Sequence, residues 1–295
     1  MTYINIFSVF KVQHHQNVIK LPQHPNCGRS ATQFHAVSRM METQDAAIGE
    51  YPWIARLGYD EAGGKNFTCL GSIISEAVII STASCVGSSE EPGKFVNIAR
   101  LGDYDLETDP DCAHNVCAEP YADYTISNVT RHEQYSQITR INNIAIVKTD
   151  EKIKFNDFIQ PICLVIGKTK DFLEKSYIGE KAWIAGWGTW GPYTGGIPMT
   201  ILQRGEISVL DPSQCQNCRN FMKNLTQGEM CAGTTGGNNR PTACEGNDGG
   251  APLMLQEMNP PRWHLLGMYS CGKCYSYENT YTRISDYSLW ILDHI

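Results

Sequence analysis

The sequence predicts an all-β protein built from two antiparallel barrels and finished by a short C-terminal helix. Three observations carry that expectation. Between Trp53 and about Val147, short β-rich runs such as Ser72–Ser81 and Val96–Gly102 alternate with turn clusters at the spacing of an antiparallel barrel. A second series of the same kind runs from Lys181 to Ile284, with Glu151–Pro161 between the two as a crossover. The period then changes, and Tyr287, Leu289, Trp290, Ile291 and Ile295 give Ser285–Ile295 the apolar side of an amphipathic helix.

In chain order, Met1–Phe10 has a few apolar residues but neither the basic start nor the small-x-small cleavage site of a secretory leader. Residues 11–39 are polar and lack periodicity, which predicts a pro-segment or linker, with Cys27-Gly28 as its one distinctive feature. Residues 40–295 form the main domain, divided into a first barrel at about 40–155, a second at about 165–284 and the helix at 285–295. With 295 residues and 42% hydrophobic content the chain can bury a large core. A net charge of −7 without a basic run excludes nucleic acid and an anionic membrane surface as partners. No stretch approaches the roughly 20 apolar residues of a membrane span. Twelve cysteines, an even number, point to a disulfide framework in an oxidising, extracellular compartment. The glycosylation sequons at Asn66, Asn128 and Asn224 point the same way.

Seven motifs stand in a fixed order: Tyr51-Pro-Trp53, Ser81-Thr-Ala-Ser-Cys85, Asn142-Asn-Ile-Ala-Ile146, Ala185-Gly-Trp-Gly188, Met230-Cys-Ala-Gly233, Thr242-Ala-Cys-Glu-Gly-Asn-Asp-Gly-Gly-Ala-Pro-Leu253, and Tyr281-Thr-Arg-Ile284 running into Trp290-Ile291. Together they resemble the landmarks of chymotrypsin/trypsin-like serine proteases over about residues 40–295. The resemblance is to the arthropod clip-domain kind, although the six cysteines of a clip module do not precede Cys27. It implies two Greek-key barrels and cleavage between Arg39 and Met40. Met40-Met41-Glu-Thr stands where that family has Ile-Val-Gly-Gly.

The family's chemistry needs a hydroxyl nucleophile, an imidazole base, a carboxylate that orients it, and backbone donors for the oxyanion. Under the resemblance, Ser84 stands at the imidazole position and Asn143 at the carboxylate position. No serine lies in Thr242–Leu253. Two registers are open there: counting from Pro252 puts Gly249 at the nucleophile and Asp248 at the preceding aspartate, whereas counting from Cys244 puts Asp248 at the nucleophile and Asn247 before it. That preceding residue, Asp248 or Asn247, is the anchor for the amine freed by activation cleavage. The specificity pocket is implied to have Thr242 at its base, Gly272 on one wall and Asn279 in place of the second wall glycine. His132 falls at a structural position.

The disulfides implied by the resemblance are Cys27–Cys163, Cys69–Cys85, Cys112–Cys117 and Cys215–Cys231. Cys244 pairs with Cys271 or Cys274, and Cys218 with the other. A rival reading makes Cys215-x-x-Cys218 and Cys271-x-x-Cys274 a four-thiolate zinc site, although their separation is unusual for one. The acidic run Asp103, Asp105, Glu107, Asp109, Asp111 resembles the calcium loop of some relatives, against the alternative of a solvated acidic loop. No other cofactor or metal is implied. The expected function is that of a secreted pseudoprotease binding extracellular proteases or their zymogen substrates, as cofactor, adaptor or decoy in an immune or venom cascade. The alternative is a weakly active endopeptidase with a relocated site.

Overall fold

The computed structural model describes residues 11–23, 25–31, 44–87, 94–166, 175–188, 199–215, 225–234, 249–259, 261–272 and 278–295. In chain order the strands are β1 (Gln44–Asp45), β2 (Ile54–Glu61), β3 (Gly64–Ser75), β4 (Val78–Ser81), β5 (Ile98–Leu101), β6 (Cys112–Ala113), β7 (Val116–Cys117), β8 (Ala122–Arg131), β9 (Ala145–Thr149), β10 (Cys163–Leu164), β11 (Lys181–Gly186), β12 (Gln203–Leu210), β13 (Glu229–Gly233), β14 (Pro252–Met258), β15 (Pro261–Cys271) and β16 (Glu278–Arg283). The first barrel closes in the order β2-β3-β4-β9-β8-β5, and the second in the order β12-β11-β14-β15-β16-β13, completed by β13 pairing back on β12. All barrel pairings are antiparallel.

Barrel closure removes the sheet edges and gives each strand a packed interior face. β-branched residues dominate the packing of the first barrel, where Ile73, Ile79, Ile80 and Ile146 are fully buried. Tyr281, Leu253, Met254 and Leu265 fill the second. After β16 a 3-10 turn (Ile284–Tyr287) precedes the helix Ser288–His294, so the α-helix begins later than the sequence pattern suggests. Its Ile291 and Leu292 are fully buried against the barrels.

The segment expected to be a linker is docked where it is described. A 3-10 turn, Gln16–Lys20, lies against the C-terminal helix. Asn17 Nδ2 donates to the Leu292 carbonyl at 2.7 Å, and Lys20 Nζ to the Ile295 carbonyl at 2.8 Å. Val12 and Leu21 enter the core, and Cys27 bonds to Cys163. A few isolated anchors hold the strap, so no hydrophobic period announces it. Gly28 explains the Cys-Gly pair: its φ is +64°, and a Cβ there would strike the Trp263 backbone. The Gly28 carbonyl accepts instead from Trp263 N at 3.0 Å.

Cys69–Cys85, Cys112–Cys117 and Cys215–Cys231 are also bonded. In the chain-entropy model the 136-residue separation of Cys27 and Cys163 is worth about 5 kcal/mol. Cys215 and Cys271 are both disulfide-bonded, which removes two of the four thiolates the zinc reading needs. Cys218, Cys244 and Cys274 lie outside the described residues.

Candidate functional site

Three elements from two barrels meet at Asn143. The residue precedes β9 in the first barrel and is 1% exposed. Ser84 comes from the short helix Ala83–Val86 that follows β4. Ser270 comes from β15 of the second barrel. The Asn143 carboxamide oxygen accepts the Ser84 backbone N–H at 2.8 Å. Its Nδ2 donates to Ser84 Oγ at 3.0 Å and to Ser270 Oγ at 2.8 Å. Both amide hydrogens and the carbonyl oxygen are thereby used, which is close to the full capacity of an asparagine side chain. Thr282 Oγ1, on β16, donates to the Asn143 backbone carbonyl at 2.7 Å and adds a second tie between the barrels.

An amide and two hydroxyls are neutral at every physiological pH, so this cluster can orient and hold groups but cannot accept a proton. Tyr135, on the segment between β8 and β9, is no base either. Burial raises its phenol pKa against the pull of Arg140 and Arg131, keeping the proton on. His132 is turned to another task. Its ring stacks on Trp290 at 5.2 Å and meets the edge of Tyr287, joining the first barrel to the C-terminal helix. Burial lowers its pKa; Glu133 opposes the shift, and His294 reinforces it.

Gly249 sits beside this cluster. Its carbonyl accepts from Leu70 N at 2.8 Å, and a Cβ built on it would lie 3.1 Å from Cys85 Sγ, the residue after Ser84. Gly250 must be glycine: φ is +81°, and a Cβ would strike the Leu70 carbonyl and approach Ser81 Oγ to 2.6 Å. Ala251 then leads into β14, whose Leu253 is fully buried.

The structure also brings Gly272 and Asn279 together. Asn279 is 2% exposed, and its carboxamide fills the space where a Cβ on Gly272 would lie. Thr242, Asn247, Asp248, Arg39 and Met40 lie outside the described residues, as does Asn224. Asn66 and Asn128 are exposed, the latter with Nδ2 donating to Thr130 Oγ1 at 3.1 Å.

The acidic loop is occupied from within. Asp103 pairs with Arg56 at 2.5 Å. Asp111, 3% exposed, accepts from Tyr104 N, Asp105 N and Thr108 Oγ1 at 2.6–3.1 Å. Among the described residues no group of three or more His, Cys, Asp or Glu side chains is placed to hold a metal ion.

Ser270 and Thr282 are the members of the site that sequence reasoning missed. The available signal for Ser270 was its place on β15 two residues before Gly272, but nothing in the linear pattern showed it facing Asn143.

The sequence profile of the trypsin family, described as "Trypsin", matches residues 40–291. The chain belongs to the trypsin-like serine protease family. Its relatives are arthropod proteases of the clip-domain kind. It is 32% identical over 286 residues to Serine protease 7 of Drosophila melanogaster, spanning 93% of this chain and 68% of that protein. It is 28% identical over 291 residues to Melanization protease 1 of the same organism, spanning 93% and 69%. The crystal structure of the Drosophila Grass clip serine protease of the Toll pathway superposes with a TM-score of 0.75 at 25% identity, covering 95% of this chain and 78% of that one.

Proposed function

We propose that this trypsin-family chain is a secreted, non-catalytic member of an extracellular immune protease cascade, acting as a cofactor, adaptor or decoy for proteases or their zymogens. The observation that carries the proposal is the hydrogen bonding of the Asn143 side chain by Ser84 and Ser270, which uses both amide hydrogens and the carboxamide oxygen. At the two addresses where the family requires a carboxylate and an imidazole, this chain has an amide and a hydroxyl. The serine-free segment 242–253 supports the same conclusion. The contact of Gly249 with Leu70 N, followed by Gly250, Ala251 and β14, favours the register that puts Gly249 at the nucleophile address. Triad loss costs up to about 10⁶ in kcat. Starting from about 10 s⁻¹, turnover would fall to roughly once a day.

The cascade setting is supported by the relatives, one described as a melanization protease and one as a protease of the Toll pathway. Secretion is supported by the disulfides, which persist in oxidising compartments. The test is to cut the purified chain after Arg39 and incubate it with a fluorophosphonate probe and with peptide esters. No labelling and no turnover is the expected result, and active-site labelling would overturn the proposal. Pull-down with the intact chain from arthropod extracellular fluid should enrich a protease or a zymogen.

A further inference from the structure

A cavity of about 260 Å³ lies between the docked strap and the second barrel, and the proposed cascade role makes no use of it. Leu21 and Pro22 of the strap form one wall, Leu164 of β10, which pairs with β15 of the barrel, and nearby Ile166 form another, and the Cys27–Cys163 disulfide borders it. Arg262, at the start of β15, provides its positive charge. Among the described residues the Arg262 Nε–H is buried without a hydrogen-bond partner, and the guanidinium's bond to them runs from Nη1 to the Pro261 carbonyl at 2.8 Å. Among the described residues no carboxylate pairs with it. Gln23, His264 and Glu257 also line the cavity, and Glu257 stands opposite Arg262 in the β14–β15 register, but its carboxylate is directed to His264 Nε2 at 2.9 Å.

We infer that this cavity binds a small amphiphilic carboxylate, a straight-chain acid of medium length. A buried guanidinium donor lacking an acceptor is unfavourable, and a carboxylate is the acceptor whose geometry matches it. The four apolar side chains would cover the ligand body, as in most small-molecule sites. At about 30 Å³ per water-sized unit the cavity holds roughly nine such units, the size of an eight-carbon acid with its head at the mouth. Arg262 and Ser270 lie eight residues apart on one strand, so the cavity is about 27 Å from the Asn143 cluster. Because one wall is the strap and the other the barrel, the ligand would fasten the strap to the barrel.

The test is calorimetric titration of the full chain with octanoate and with uncharged 1-octanol, on wild type and on the Arg262→Gln and Arg262→Lys variants. Octanoate should bind saturably to wild type, at least about tenfold more weakly to Arg262→Gln, and with intermediate affinity to Arg262→Lys, while octanol should not distinguish them. Methyl NMR on wild type provides a readout independent of any variant: octanoate should shift the methyl signals of Leu21, Leu164 and Ile166. No saturable binding up to millimolar octanoate, equal affinity in Arg262→Gln, or shifts confined to other methyls would each overturn the inference. These outcomes do not depend on protease activity, so the cavity can fail while the cascade proposal stands, and the reverse.

Discussion

Replacing Asn143 by alanine should destabilise the protein far more than a polar-to-alanine change at its surface. The substitution removes three side-chain hydrogen bonds, to Ser84 N, Ser84 Oγ and Ser270 Oγ. A net bond is worth about 1 kcal/mol, and a buried group left without its partner costs about 1–3 kcal/mol. Ser270 is 7% exposed and cannot turn to water, whereas Ser84 is partly open and can recover some hydration. The expected loss is therefore about 3 kcal/mol, or about 6–12 °C in Tm for a domain of this size. Ser84→Ala removes the acceptor for Asn143 Nδ2 and a long 3.5 Å donation to Thr82 Oγ1, and should cost about 1 kcal/mol. The double variant should cost less than the sum, since the Asn143–Ser84 side-chain contact can be lost only once. Urea unfolding with the disulfides intact, read by tryptophan fluorescence, measures all three. A loss below about 0.5 kcal/mol for Asn143→Ala, the scale of an ordinary surface change, would show that the cluster does not tie the barrels together.

Three further outcomes follow from other parts of the molecule. Wild type should show no calorimetric binding of benzamidine because the Asn279 side chain fills the space beside Gly272; the Asn279→Gly, Thr242→Asp variant should bind it, and measurable binding to wild type would refute the closed slot. Burial lowers the His132 pKa, so the unfolded chain takes up this proton first, and the contribution to stability is complete above about pH 6.5 and lost as pH falls toward the lower folded value. Tm should drop between about pH 7.5 and about pH 5.5, and by less in His132→Gln; equal drops would remove His132 from the acid response. Expressed in a secretory eukaryotic host, the chain should lose mass on treatment with peptide N-glycosidase, and Asn66→Gln and Asn128→Gln should each remove one step, since both side chains are exposed.

The parts of the site that were legible in the sequence are those tied to neighbours along the chain. Ser84 directly precedes Cys85, and Asn143 directly precedes Ile144-Ala145, so each could be placed by counting within a motif. Ser270 is separated from Asn143 by 127 residues, and Thr282 by 139; those contacts exist only because the two barrels pack together. The acidic loop shows the same division. Its carboxylates are evident in the sequence, but their partners are not: Arg56, which neutralises Asp103, comes from a different strand 47 residues away. The docking of the strap is illegible in the sequence for another physical reason. Periodicity detects a continuous apolar face, whereas this segment is held by Val12, Leu21, one disulfide and hydrogen bonds to the C-terminal helix.

Under the proposed reading, two of the departures from the family pattern fall on described residues, Ser84 with Asn143 and Asn279, and they do different jobs. Under the proposed non-catalytic reading, Ser84 and Asn143 are neutral groups at the addresses of a protease's base and carboxylate, and they join helix, β9 segment and β15 through three hydrogen bonds. A buried carboxylate at position 143 would need a cation or a dense set of donors, whereas the amide brings its own donors and needs neither. At Asn279 a side chain enters the space a glycine would leave open beside Gly272, and it is buried there. On that reading the first change bears on proton transfer and the second on entry of a substrate side chain, and with the serine-free segment 242–253 as a third obstacle, reversing any one would leave the others in place. The described residues retain both barrels and four disulfides, the rigid frame that the proposed binding role requires.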